Sequence, residues 1–150
     1  MNRVWKPNVT VAALIERDGR FLLVEEEAED GPRFNQPAGH LDEGESLVAA
    51  CAREALEETA WGFTPTALVG IYQWPRPQGD ITYLRFAFCG DLGAHEAGRA
   101  LDTGILRAVW KTPDEIRASA DRHRSPLVSQ CVSDYLAGRR YPLELIRHYD

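Results

Sequence analysis

The sequence has little of what marks a secreted or membrane protein. The longest apolar run near its start, residues 9–15, contains Thr10 and is far shorter than the roughly 20 residues that a membrane-spanning helix needs. That run also lacks the basic flank and the small-residue cleavage site of a secretory signal. The three cysteines, Cys51, Cys89 and Cys131, are widely separated, and no two have metal-site or redox spacing. We therefore expect reduced thiols, a cytoplasmic location and no membrane partner.

Basic side chains are also scarce. The chain has 17 Lys and Arg against 23 Asp and Glu, so its net charge is −6, which argues against binding to a nucleic acid polymer. The acids are concentrated in residues 16–58, with thirteen acids and four bases, whereas residues 107–147 carry five acids and eight bases. An acidic part that faces a more basic part would suit a cation that bridges to a phosphate.

The chain reads as a single domain over residues 1–150, because it has no internal repeat and no long linker. Asp18-Gly19 predicts a tight hairpin turn between its two neighbouring strands. Thr112-Pro113 and Ser125-Pro126 are typical helix starts, and Gly138 is typical of a helix end. The predicted strands are 9–15, 21–26, 67–74, 81–89 and 108–111, and the first predicted helix is 46–59. Strands and helices that alternate around hairpins predict an α+β fold with a mixed β-sheet flanked by α-helices.

Three glutamates share one face of the first predicted helix. Glu54, Glu57 and Glu58 are spaced i, i+3 and i+4, which places them within an arc of roughly 100° on a helix with 3.6 residues per turn. Like charges at this spacing repel each other, and a bound cation removes that repulsion. Hard carboxylate oxygens suit Mg²⁺ or Mn²⁺ better than a soft metal.

The loop before this helix supports a cation site. Gly39 and Gly44 allow a tight loop that brings Glu45 towards the helix, where Arg53 is placed to pair with it. The alternative, in which the glutamates form only a solvated acidic surface on a structural protein, gives the glycine spacing no purpose.

This ordered set resembles the signature of the Nudix hydrolase family, the Nudix box G-x5-E-x7-R-E-U-x-E-E-x-G-U, in which U is apolar. The sequence matches every charged position of the box at full spacing, from Gly39 through Glu45 and Arg53 to Glu58. One position departs, because Ala60 stands where the box has its second glycine. We expect Gly62 to take over the turn that ends the helix. The resemblance implies the α+β Nudix fold, with a mixed sheet sandwiched between helices.

Beyond the box, much of the chain resembles the NudJ-type phosphatases within that family. The resemblance includes Asn35 to Leu41, Gln73-Trp74, Leu84 to Phe86, Arg124 to Val128 and Arg140 to Glu144. It implies hydrolysis of nucleoside di- and triphosphates and of pyrimidine pyrophosphates such as hydroxymethylpyrimidine diphosphate. One alternative is a Nudix hydrolase of other specificity, for ADP-ribose, sugar nucleotides, dinucleoside polyphosphates or oxidised nucleotides. Another is a non-catalytic binding module, although such modules typically lack one or more of the box glutamates.

The resemblance also implies roles for individual residues, with Mg²⁺ as the cofactor and Mn²⁺ as a substitute. Glu45 orients Arg53, and the Glu57 or Glu58 position activates the attacking water. Asp102 is the alternative general base, because some relatives take theirs from a downstream loop. The implied metal ligands are Glu54, Glu57, Glu58 and the carbonyl group of Gly39.

Three residues outside the box are predicted to bind the substrate, a small-molecule diphosphate. Gln36 is a candidate for a contact with a base edge or a phosphate, and is otherwise a polar residue at a strand end. Trp74 is a candidate for stacking on a base, and is otherwise a core residue. Arg85 lies among apolar neighbours, so it either pairs with a phosphate or occupies the solvent face of a strand. The sequence leaves a monomer and a homodimer equally open.

Overall fold

The computed structural model describes residues 3–150, which form nine strands, three α-helices and two short 3-10 helices. The strands are β1 Asn8–Leu14, β2 Glu16–Arg17, β3 Arg20–Glu26, β4 Arg33–Asn35, β5 Ala38–His40, β6 Trp61–Pro75, β7 Thr82–His95, β8 Ile105–Lys111 and β9 Tyr141–Pro142. The helices are α1 Leu47–Thr59, α2 Pro113–Ala118 and α3 Leu127–Leu136, and the 3-10 helices are Ala120–Arg122 and Leu143–Leu145.

The strands form two sheets. The five-stranded sheet has the order β5-β1-β7-β6-β9, with β1 and β7 parallel and the other pairs antiparallel. The second sheet is antiparallel, with β3 paired to β2, β4 and β8. The larger sheet is therefore mixed, as the sequence predicts.

Helices cover both faces of the mixed sheet, and the alternation of side chains along β1 shows how. Val11 and Ala13 pack in one apolar cluster with Ala55 of α1, whereas Ala12 and Leu14 pack in a second cluster that includes residues of α2 and α3. Because both faces are covered, the β1 residues from Val11 to Leu14 are all buried and apolar. The predicted α+β sandwich is confirmed.

The predicted hairpin turn is present. Asp18 and Gly19 both have positive φ, 52° and 78°, as a two-residue turn between β2 and β3 requires. Sequence patterns missed the short strands β2, β4, β5 and β9. They also placed the start of β6 six residues too late, because Gly62 and Pro65 read as strand breakers.

Helix α1 begins and ends at the predicted residues, but a different residue makes its terminating turn. Ser46 is its N-cap, and the Ser46 hydroxyl accepts a hydrogen bond from the Ala49 amide at 3.1 Å. The expectation that Gly62 takes over the terminating turn is wrong. Ala60 itself adopts the left-handed conformation, with φ 64°, and its amide donates to the Leu56 carbonyl at 2.9 Å. Gly62 already belongs to β6, so the turn cannot be delayed to that residue.

The two later helices begin where the sequence predicts. Thr112 and Glu115 form a capping box at the start of α2. Ser125 accepts a hydrogen bond from the Leu127 amide at 3.2 Å at the start of α3, and Gly138 has a positive φ of 84° just beyond its end. Among residues 3–150 there is no helix whose length and apolar character would let it cross a membrane.

Candidate active site

A cavity of about 1220 Å³ opens where α1, the β4–β5 segment, the β6–β7 hairpin and the start of α3 meet. Its wall is rich in charged side chains of both signs. The acids on the wall are Glu26, Glu29, Asp30, Asp42, Glu54 and Glu58, and the arginines are Arg33, Arg76, Arg85 and Arg124.

Arg53 organises the carboxylates at the α1 end of the cavity. Its Nε and Nη2 donate to the two carboxylate oxygens of Glu45 at 2.6 and 2.9 Å, so the expected pairing of Arg53 with Glu45 is bidentate. Its Nη1 donates to Glu54 at 2.7 Å and to Glu57 at 2.9 Å. Its Nη2 also donates to the His40 carbonyl at 3.1 Å, which fixes the loop against the helix. The hydrogen bond from Arg53 lowers the pKa of Glu45.

A three-carboxylate group, formed by Glu54, Glu57 and Asp102, lies beside this network. One oxygen from each residue lies within 4.8 Å of the others. The loop that carries Asp102 is tied to α1, because the Asp102 amide donates to the Glu57 carbonyl at 3.0 Å. The group is made only of hard oxygen donors, so its chemistry fits a divalent cation such as Mg²⁺ or Mn²⁺. Glu54 also lines the cavity and thereby connects the group to it.

The Glu54 carboxyl group occupies the space that a side chain at position 39 would need. A Cβ atom built on Gly39 would overlap the carboxyl carbon of Glu54. Burial raises the pKa of Glu54, and Arg53 opposes that shift. The glycine of the predicted loop therefore lets the backbone approach the carboxylate closely.

Glu58, a predicted metal ligand, is not part of the three-carboxylate group, although it lines the same cavity as Glu54. It is 7% exposed, and its Oε1 accepts a hydrogen bond from the Ala38 amide at 2.9 Å. Burial raises the pKa of Glu58 to about 9; the Ala38 hydrogen bond opposes the shift, and the charges of Glu54, Glu26 and Asp102 add to it.

Arg85 lies on the cavity wall and is only 6% exposed, so the alternative of a solvent-facing strand position is wrong. Its Nη1 donates to Gln36 Oε1 and its Nη2 donates to Asn35 Oδ1, each at 2.9 Å. The Cys131 sulfur lies 3.9 Å from Nη1. These partners are all neutral at neutral pH, because burial raises the pKa of the Cys131 thiol.

Gln36 is not placed as the sequence suggests. It is 1% exposed and is not part of the cavity wall. Its Oε1 accepts from Arg85, and its Nε2 donates to the Val128 carbonyl at 2.8 Å. The amide is thus occupied at both ends by protein groups.

Trp74 lies on the cavity wall and is half-buried. Its ring stacks on that of its cross-strand partner Tyr83, with centroids 6.1 Å apart and an interplanar angle of 14°. The alternative of a core position for Trp74 is wrong, because neither apolar cluster contains it.

Glu26 and Asn35 are cavity residues that sequence reasoning missed. Burial raises the pKa of Glu26, while Arg124, at 3.5 Å, and a hydrogen bond with Asn35 oppose that shift. No local sequence pattern indicates that either residue lines a cavity. Glu26, for example, simply follows the apolar run of β3. Pairing of β3 with β4 would have been the useful signal, since Val24 is opposite Asn35 in the register.

Comparisons with known proteins agree with this geometry. The NUDIX domain model matches residues 5–131. The chain is 39% identical over 147 residues to Phosphatase NudJ of Escherichia coli (strain K12). That match covers 98% of this chain and 95% of that protein. Phosphatase NudJ of Shigella flexneri matches with the same identity and the same coverage.

Solved structures are similar over nearly the whole chain. A NUDIX hydrolase from Nitrosomonas europaea is 54% identical, with a TM-score of 0.94, and the match covers 96% of this chain and 98% of that one. The MutT protein from Methanosarcina mazei Go1 is 21% identical, with a TM-score of 0.72 and coverage of 91% and 99%, and this likeness concerns the fold alone.

Proposed function

The chain belongs to the NUDIX family and is a hydrolase of phosphorus-containing anhydrides, and on that premise we propose that it is a Mg²⁺-dependent pyrophosphohydrolase. Its proposed substrates are nucleoside di- and triphosphates and pyrimidine pyrophosphates such as hydroxymethylpyrimidine diphosphate. The three-carboxylate group of Glu54, Glu57 and Asp102 beside a cavity that also exposes Arg85 is the observation that carries the proposal. The similarity to Phosphatase NudJ supports the substrate class.

The proposed cation ligands come from α1 and from the loops packed on it. Glu54 and Glu57 share one group of oxygens with Asp102, so we add Asp102 to the predicted set of Glu54, Glu57, Glu58 and the Gly39 carbonyl. Bound there, Mg²⁺ or Mn²⁺ would neutralise phosphate oxygens and acidify a water molecule. Arg53 keeps the glutamates in place, because it spans Glu45 and both carboxylates of the group.

The general base and the ring that stacks on the substrate are assigned from the positions of the side chains. Glu57 is half-buried and Asp102 is exposed, so either carboxylate is accessible to an attacking water and can accept its proton. Glu58 is held by the Ala38 amide and carries a raised pKa, so it is the weaker candidate for that base. Trp74, with Tyr83 behind it, offers a ring on which the organic group of the substrate stacks.

The location and assembly of the protein are separate proposals. We place its activity in the cytoplasm, supported by three buried and unpaired thiols, Cys51, Cys89 and Cys131. A monomer and a homodimer are both compatible with the described residues.

The test is a panel assay of orthophosphate and pyrophosphate release with Mg²⁺. The panel contains hydroxymethylpyrimidine diphosphate, thiamine diphosphate, nucleoside di- and triphosphates, ADP-ribose and a dinucleoside polyphosphate. We expect turnover of the pyrimidine diphosphate and of the nucleotides, and its loss in Glu57→Gln but not in the matched control Glu43→Gln, which changes an exposed loop glutamate. Turnover confined to ADP-ribose or the dinucleoside compound would overturn the substrate class. Absence of any metal-dependent turnover would overturn the function itself.

A further inference from the structure

Arg85 differs from the other arginines on the cavity wall in having no acidic partner. Arg33 pairs with Asp30, Arg76 with Asp80, and Arg124 with Glu26. Arg85 forms no salt bridge to any carboxylate within residues 3–150, and its hydrogen bonds go to the amides of Asn35 and Gln36.

A buried guanidinium without a counter-charge is costly, since an unpaired charge loses its hydration without gaining an ion pair. Each buried nitrogen of Arg85 nevertheless has a hydrogen-bond partner, because every buried side-chain nitrogen or oxygen in the described part of the chain has one. Its Nε has no protein acceptor there, so Nε is not fully buried. The side chain is therefore held on the cavity wall by neutral partners, and its Nε has no acceptor among the described residues.

Glu26, whose pKa the charge of Arg85 lowers, does not cancel this charge. Glu26 is bridged to Arg124 and hydrogen-bonded to Asn35, and the effect of Arg85 on Glu26 is weaker than either of those. The start of α3 lies on the same wall, with Ser125, Leu127 and Ser129 lining the cavity. A helix N-terminus carries partial positive charge and adds to the attraction for an anion.

We infer that Arg85 binds a phosphate oxygen of the substrate in the cavity that Glu54 also lines, and that Asn35 and Gln36 are positioning residues that hold its guanidinium without neutralising it. This inference rests on the proposed function and deepens it. The substrate would then be held at two places, by the carboxylate group on α1 and by an arginine on β7. A planar guanidinium suits phosphate because it offers parallel N–H donors.

Gln36→Glu tests the inference, because it places a carboxylate where a neutral amide now accepts from Arg85. The new carboxylate would pair with Arg85 and compete with phosphate. We expect KM for a nucleoside triphosphate to rise about tenfold or more, with kcat within about threefold of the wild type. Gln78→Glu is the matched control, because it adds the same charge at an exposed position of the cavity rim and is expected to change KM less than about twofold.

Asn35→Asp is a second variant of the same kind, because it places a carboxylate beside Nη2 of Arg85. Its KM tests the inference if Gln36→Glu fails to fold. An unchanged KM in a folded variant, an equal rise in Gln78→Glu, or a fall in kcat at constant KM would each overturn the inference. These outcomes require an active wild type, so they are distinct from a failure of the proposed function, in which the wild type shows no metal-dependent turnover.

Discussion

Arg53 and Arg85 serve one cavity from two networks of opposite charge. Arg53 is surrounded by the carboxylates of Glu45, Glu54 and Glu57, so that network carries excess negative charge. Arg85 is surrounded by neutral amides, so that network carries excess positive charge. The first is suited to a cation and the second to an anion, which together are what a metal-dependent hydrolase of diphosphates requires. The contrast shows that the groups bound to an arginine determine whether its surroundings attract a cation or an anion.

Glu57→Gln has the largest expected effect, because it removes an oxygen ligand and charge from the negative network. We expect kcat/KM to fall by about 10³-fold or more, since charge stabilisation by a metal is worth several kcal/mol. Steady-state hydrolysis of a nucleoside triphosphate measures the loss, with Glu43→Gln as the control. A Glu57→Gln variant within tenfold of the wild type would show that the negative network does not hold the catalytic cation.

Arg53→Lys is expected to have the next largest effect. Lysine keeps the charge but cannot reproduce the two hydrogen bonds to Glu45 together with those to Glu54 and Glu57. Residues that orient metal ligands typically contribute about 10- to 100-fold to activity, and we expect a loss of that size in kcat/KM. Arg107→Lys is the control, because it alters a single exposed ion pair with Glu25. Equal activity in the two variants would contradict an organising role for Arg53.

The pH dependence of unfolding tests the burial of Glu58. Its folded-state pKa, about 9, lies above the ordinary value of 4.5, so the folded state keeps a proton that the unfolded state releases between those two values. The free energy of unfolding of the metal-free protein should therefore fall as pH rises through this window, by at most about 1.4 kcal/mol per pH unit from this group.

Glu58→Gln mimics the protonated form and should flatten this dependence. Chemical denaturation in the presence of a chelator, at several pH values between 5 and 9, measures both proteins. Identical slopes for the wild type and Glu58→Gln would refute the raised pKa.

Ala60→Gly has the smallest expected effect. It is expected to change the stability of the protein without changing the charge of either network. Ala60 has a positive φ of 64°, a conformation that glycine adopts without the strain of a Cβ atom. We expect the free energy of unfolding to rise by about 1 kcal/mol, with kcat/KM unchanged because no charge of either network is altered. Urea denaturation together with the hydrolysis assay measures both quantities, and destabilisation would contradict the left-handed helix end.

The two networks also differ in how far they could be predicted. All of the hydrogen-bond partners of Arg53 lie within 13 residues of it along the chain, on one loop and one helix, so helical spacing and the Nudix box were sufficient to find its carboxylate partners. Arg85 was a candidate, but its partners Gln36 and Asn35 lie 49 and 50 residues away along the chain. The contact joins β7 of the mixed sheet to β4 of the second sheet and to the residue after it, so it depends on how the two sheets pack together.

The same reason explains why Gln36 was assigned to the substrate and Glu26 was missed. A strand-end position indicates that a polar side chain is near the site, but it does not indicate which neighbour the side chain contacts.

Calorimetric titration of three proteins with Mn²⁺, and separately with inorganic pyrophosphate in the presence of a chelator, tests the division of charge most directly. The proteins are the wild type, Glu57→Gln and Arg85→Gln. We predict that Glu57→Gln loses affinity for Mn²⁺ and keeps its affinity for pyrophosphate, whereas Arg85→Gln loses affinity for pyrophosphate and keeps its affinity for Mn²⁺. Loss of both affinities in either variant, or of neither in both, would contradict the presence of two networks with opposite charge.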